Sequence, residues 1–141
     1  MLKAEIKNKI LKLSAAYSKE MIELRRRIHS NPETAFNEFE TTKLLYNSLN
    51  KKGFDKVNRI TDTGVFALLN GNKGKCVALR ADIDALPITE NTGLKFASKN
   101  PGIMHACGHD AHSAMVYGAA LILKELKKEL NGSVKFIFQP A

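Results

Sequence analysis

The chain has 141 residues, enough for one modest domain, and its 44% hydrophobic content is ordinary for a globular protein. Two cysteines do not make a disulfide scaffold and suit a reducing compartment. The net charge of +8 comes from 22 basic and 14 acidic residues. The lysines are scattered, and the densest run, Arg25-Arg26-Arg27, has no interleaved aromatics. A solvated basic surface is therefore expected, with no nucleic-acid partner. Lys3, Glu5, Lys7, Lys9 and Lys12 interrupt the N-terminal apolar residues. No signal peptide, membrane span or membrane partner is expected, and the expected location is cytoplasmic.

In chain order, residues 3–29 predict one long amphipathic helix. Ile6, Ile10, Leu13, Tyr17, Met21, Leu24 and Ile28 recur at steps of three and four. Asn31-Pro32 stops it, leaving His29 at the end where the dipole favours a cation. His29 has two readings, a capping or packing role and a contact under a metal site. A second helix is predicted over 37–51, with Phe39, Leu44, Leu45 and Leu49 apolar and Gly53 as stop signal.

Strand-like runs follow at 57–60, 64–69 and 76–80. The turn-rich link Asn70-Gly71-Asn72-Lys73-Gly74 predicts that the last two pair antiparallel. Cys76 reads as a small buried hydrophobe in a buried strand. Directly afterwards comes Arg80-Ala81-Asp82-Ile83-Asp84-Ala85-Leu86-Pro87. Chemistry gathers outside the carboxyl ends of strands in open α/β sheets. Asp82 or Asp84 can thus bind a metal or orient a ligand. The alternative is a turn cap paired with Arg80. Residues 88–103 read as a long loop, a length that is often functional.

That loop leads into Met104-His105-Ala106-Cys107-Gly108-His109-Asp110-Ala111-His112, which holds one of the two cysteines and three of the four histidines. Thiolate and imidazole bind borderline-soft divalent ions. Cys107 and His109, two apart, share a side if the segment is extended. Two donors alone do not complete a site, and a buried Cys with surface histidines is the bland alternative. A helix is predicted to run from a cap at Asp110 to about Leu130, with Met115, Ala119, Ile122 and Leu126 on its apolar face. The positive end of its dipole would lie near Cys107. Residues 134–138 read as a last strand. The fold class is α/β, with helices flanking a central mixed sheet that contains 64–69, 76–80 and 134–138.

Several segments together resemble the metal-dependent aminoacylase and carboxypeptidase superfamily. Within it they are most similar to the branch of hippurate hydrolases, N-acyl-amino-acid amidohydrolases and auxin-conjugate hydrolases. The segments are Leu24–Arg26 through His29-Ser30-Asn31-Pro32-Glu33, then Arg80–Ile88, Thr92–Leu94 with Phe96–Ser98, Met104–His112 and Ile137–Ala141. The resemblance implies part of a zinc-exopeptidase-like catalytic domain, with 1–141 its N-terminal portion and the lid or dimerisation domain absent. It implies hydrolysis of the amide in N-acyl amino acids, hippurate-like substrates included. It also implies two divalent metals per complete site, zinc or manganese, and complete family members that form homo-oligomers.

By the same resemblance, Cys107 is the ligand shared by both metals and His109 a ligand to one. Asp82 is a support residue behind a ligand, since Arg80 stands where the wider superfamily has a metal-binding His. His105, His112 and Asp84 match without an assigned role. In the family, a general-base glutamate and a glutamate ligand follow the segment that ends here at Ala141, so a truncated enzyme is expected. The alternative is a catalytically inactive metal-binding or interaction fragment. A redox thiol protein is disfavoured, because no Cys-x-x-Cys pair is present. An inactive, poorly soluble product is expected, with the 134–138 strand left at an exposed apolar edge.

Overall fold

The computed structural model describes residues 4–141; Lys3, included in the predicted first helix, lies outside them. Helix α1 spans Ala4–His29 and carries the predicted stripe. Leu24 and Ile28 are buried, and Ile6, Ile10, Leu13, Tyr17 and Met21 are half-buried above them. Helix α2 spans Phe39–Lys51. Its first turn is closed by Glu33, whose carboxylate accepts from the N–H groups of Glu40 and Thr41 at 3.1 and 2.7 Å. That places an anion at the positive end of the helix dipole. Leu45 and Leu49 are buried as expected, whereas Phe39 is 52% exposed.

Strands β1 (Lys56–Arg59), β2 (Val65–Asn70), β3 (Asn72–Asp82) and β4 (Asn131–Gln139) form one mixed sheet in the order β1-β2-β4-β3. The expected β2–β3 hairpin is absent. β4 inserts between them, antiparallel to β2 and parallel to β3. The link between β2 and β3 instead crosses the start of β4, with Gly71 N–H on Gly132 O and Asn72 N–H on Leu130 O. Gly132 has φ +125° and lies against the Lys75 carbonyl, a place only glycine fills. The hydrophobic pattern defined the strands but not their neighbours. The centre goes to β4, whose Phe136 and Phe138 are fully buried. Its two edges are therefore both paired, and the expectation of an exposed apolar edge at 134–138 does not hold. The sheet's outer strands are β1 and β3.

That order also corrects the reading of β3. Residues 72–78 are exposed, Val77 is 58% exposed, and Cys76 is an exposed free thiol rather than a buried hydrophobe. Helix α3 spans His109–Glu125, and a 3-10 turn at Lys127–Glu129 follows, so the α-helix stops short of Leu130. The predicted face holds in part: Leu126 is buried and Ala119 and Ile122 are half-buried. The buried residues of α3 itself are Asp110, Ser113, Ala114, Tyr117, Gly118, Ala120 and Leu121, while Met115 is 62% exposed. Two polar residues, Asp110 and Ser113, face inward because each finds a hydrogen-bond partner there.

Leu24, Ile28, Leu45, Leu49, Tyr117, Ala120 and Leu121 from the helices share one core with Val65, Ala67, Leu69, Phe136 and Phe138 of the sheet. A second polar knot ties the helices together: Tyr117 donates to Glu20 at 2.7 Å, and Lys52 pairs with the same carboxylate at 2.8 Å. Among the described residues, no helix is long and apolar enough to cross a membrane.

Candidate metal centre

The carboxyl end of β3 runs on through Ile83 into a segment held on both sides. Ala85 donates to Glu33 O at 2.7 Å, and Thr34 bridges Ala85 in parallel. On the other side, Leu86 and Met104 exchange both backbone hydrogen bonds at 3.0 Å. The 88–103 loop, which contains no helix or strand, is thus closed at its base, next to the 104–112 stretch.

The chain turns at Gly108, φ +80°. The N–H groups of Ala111 and His112 both reach Gly108 O at 3.0 Å. Gly108 therefore caps α3, with no side-chain cap, and the cap predicted at Asp110 is displaced by two residues. The reason is that the Asp110 carboxylate is engaged elsewhere.

At the front of the stretch stand Cys107, an exposed free thiol, and His109, whose side chain is 22% exposed. His109 Nδ1 lies 3.0 Å from Asp84 O and 2.9 Å from Asp84 Oδ1. A carbonyl oxygen can only accept, so Nδ1 carries the hydrogen. In the neutral ring Nε2 is then the nitrogen with a free lone pair. This carboxylate–imidazole arrangement is what orients a metal-binding histidine.

The carboxylate against His109 is that of Asp84. Asp82 pairs instead with Arg80 at 2.6 Å, the alternative read from the sequence, and its carbonyl accepts from Ser113 Oγ at 3.1 Å. β3 ends at Asp82, so strand alternation no longer decides where Asp84 points. His112 lies with its ring 6.1 Å from that of His109.

At the back, Asp110 is 1% exposed. Its Oδ2 takes hydrogen bonds from His29 Nδ1 at 2.9 Å and Arg25 Nε at 3.0 Å. Burial alone would raise the Asp110 carboxyl, but these two donors hold it below its ordinary value. The other nitrogen of His29 reaches Glu90 Oε1 at 3.2 Å. Glu90 also accepts from the Thr92 hydroxyl and from Ser98 N–H at 2.6 Å. These hydrogen bonds, Thr92's first, hold its carboxyl down to about 2. His105 is 4% exposed, and burial pushes its imidazole below the usual histidine range. Among the described residues, neither of its ring nitrogens nor Asp110 Oδ1 has a hydrogen-bond partner.

His29 thus contacts the start of α3 beneath the 104–112 stretch, a buried position that fits either of its two readings. Arg25 and Glu90 were not anticipated. Arg25 stands four residues before His29, on the same helix face, and that spacing was legible. Glu90 lies in a loop without periodicity, and nothing in the sequence marked it.

Cys107 and His109 supply one sulfur and one imidazole nitrogen, a donor pair that suits a first-row divalent ion. Among the described residues, no group of three or more His, Cys, Asp or Glu side chains is gathered to hold one. The residues therefore fit part of a metal site.

The profile of Peptidase family M20/M25/M40 matches residues 78–141. The chain is 51% identical over 124 residues to the N-acetyl-L-cysteine deacetylase of Bacillus subtilis, covering 87% of this chain and 30% of that protein. It is 44% identical over 136 residues to the N-acyl-L-amino acid amidohydrolase of Geobacillus stearothermophilus, covering 96% and 37%. The crystal structure of a dinuclear metal-binding M20 peptidase from Bacillus subtilis superposes with a TM-score of 0.86 at 46% identity, over 90% of this chain and 36% of that one. The chain spans about a third of the length of the curated relatives it matches. On sequence and fold together, the chain resembles the M20 family of metallopeptidases and amidohydrolases.

Proposed function

We propose that residues 1–141 form the N-terminal part of a metal-dependent amidohydrolase catalytic domain whose substrates are N-acyl amino acids, hippurate-like ones among them. The observation that carries this reading is the Asp84–His109 pair beside the free Cys107 thiol. Cys107 and His109 would hold the metal, zinc or manganese, with Cys107 shared between two ions. When bound, the ions lower the pKa of a coordinated water and polarise the amide carbonyl.

The chain's own residues contribute positioning. Asp84 fixes the tautomer and direction of His109. The neighbouring carboxylates are occupied, Asp84 by His109 and Asp82 by Arg80. Both are engaged in these pairs, so neither is assigned as the general base. Purified 1–141 is accordingly expected to show no turnover of hippurate or N-acetyl amino acids, even with added zinc or manganese. The two-donor set also favours a second reading, a fragment that binds metal without catalysis.

A chimera separates the two readings. Residues of this chain replace the aligned segment of the Geobacillus stearothermophilus amidohydrolase, a stretch of 136 aligned residues. Hydrolysis of N-acetyl amino acids is expected to survive in the chimera and to be lost on Cys107→Ala. A folded, metal-loaded chimera with no hydrolysis would contradict the enzymatic reading.

A further inference from the structure

We propose that His29 is a positioning residue of the metal centre: it clamps the 88–103 loop and the start of α3 to α1, and so sets the orientation of His109. This deepens the metal reading given above and rests on it. His29 is 4% exposed, and its two nitrogens reach carboxylates from two different elements, Asp110 in the first turn of α3 and Glu90 in the loop. Asp110 directly follows His109, so a tether on the one restrains the backbone of the other. Arg25, one helical turn before His29, holds the same Asp110 oxygen.

The loop is gathered at the same point. Glu90 accepts from Thr92 and Ser98, the Phe96 ring meets His29 edge-on at 5.3 Å, and Lys99 N–H reaches Ser30 O at 3.0 Å. Asn100 Nδ2 then donates to Pro32 O at 2.8 Å. From there the loop returns through the Leu86–Met104 ladder to His105, whose ring lies 6.4 Å from that of His29, and on to Cys107. One side chain thus joins the last turn of α1 to the loop that leads into the 104–112 stretch and to the helix turn that carries His109. A residue that merely closed a helix end would need only one of these contacts. Partners hydrogen-bonded directly to a ligand change metal affinity by about 10–100-fold when lost, and His29, which acts through the residue next to His109, belongs at the lower end of that range.

The test is a cobalt(II) titration of the full chain, followed by the absorption of the cobalt–thiolate bond. The wild type should show this absorption, and Cys107→Ala should lack it. His29→Phe keeps the packing against Phe96 and loses both hydrogen bonds. It should weaken cobalt affinity about tenfold or more and shift the ligand-field spectrum. Tyr117→Phe, which loses a buried hydrogen bond to Glu20 away from the loop, should lower thermal stability and leave affinity and spectrum unchanged. A folded His29→Phe with wild-type affinity and spectrum overturns the proposal. If His29→Phe fails to fold, Glu90→Ala decides, because it cuts one arm of the clamp: a weakened affinity supports the proposal and an unchanged one overturns it. Absence of the thiolate absorption in the wild type overturns the metal reading and this proposal with it.

Discussion

The front and the back of the 104–112 stretch differ in what their side chains are tied to. At the back, Asp110 binds His29 and Arg25, and His29 binds Glu90, all within the chain. At the front, His109 is held by one nitrogen only and Cys107 stands as a free exposed thiol. The left-handed turn at Gly108 lies between the two front donors. The back is buried and tied to α1 and the loop, with Asp110 Oδ1 and the His105 nitrogens unpartnered among the described residues, while the front presents the exposed Cys107 and the half-buried His109. Stability and ligand binding should therefore respond to different residues of the same short segment.

The largest expected effect tests the back. Asp110→Ala removes a buried carboxylate and leaves His29 and Arg25 without it, and should cost about 3 kcal/mol of folding stability in urea denaturation of the metal-free chain. A loss near zero would erase the distinction between the two sides.

The next effect sharpens the front. Asp84→Ala should weaken zinc binding about tenfold, because His109 loses the carboxylate that orients it. Asp82→Ala should leave zinc affinity unchanged, since its carboxylate serves Arg80. Equal effects from the two substitutions, measured by competition with a chromophoric chelator, would return the support role to Asp82.

The smallest effect concerns acid. Glu90 is held at about 2 in the folded chain against an ordinary 4.5. A depressed carboxyl contributes stability that is present above the ordinary value and is lost as pH falls toward the folded one. Stability should thus decline between about pH 4.5 and about pH 2. Glu90→Gln should flatten that decline while lowering stability at neutral pH. An identical acid profile in the variant would show that Glu90 is not held by these bonds.

Much of this was legible in the sequence, for local reasons. The α1 stripe from Ile6 to Ile28 follows a helical period, and its inward face is the face the period selects. The pairing of Cys107 with His109 as candidate donors came from residue type and spacing. What the sequence did not show were relations between distant segments. β4 displaced the expected β2–β3 hairpin because alternation marks a strand's faces, not its neighbours. α3 turned its Tyr117 face inward because Asp110 and Ser113 are satisfied inside, which a hydrophobicity pattern reads as solvent-facing. Glu90 contributes from a loop, where no period exists to place it.

The central claim is that Cys107 and His109 are metal donors, and calorimetric titration of the purified chain with zinc tests it most directly. The account predicts one weak binding event, as befits two protein donors where catalytic sites use three. Cys107→Ala should abolish that event and leave stability within about 0.5 kcal/mol of the wild type, because the thiol is exposed. Zinc binding that persists unchanged in Cys107→Ala would place the site elsewhere and contradict the account.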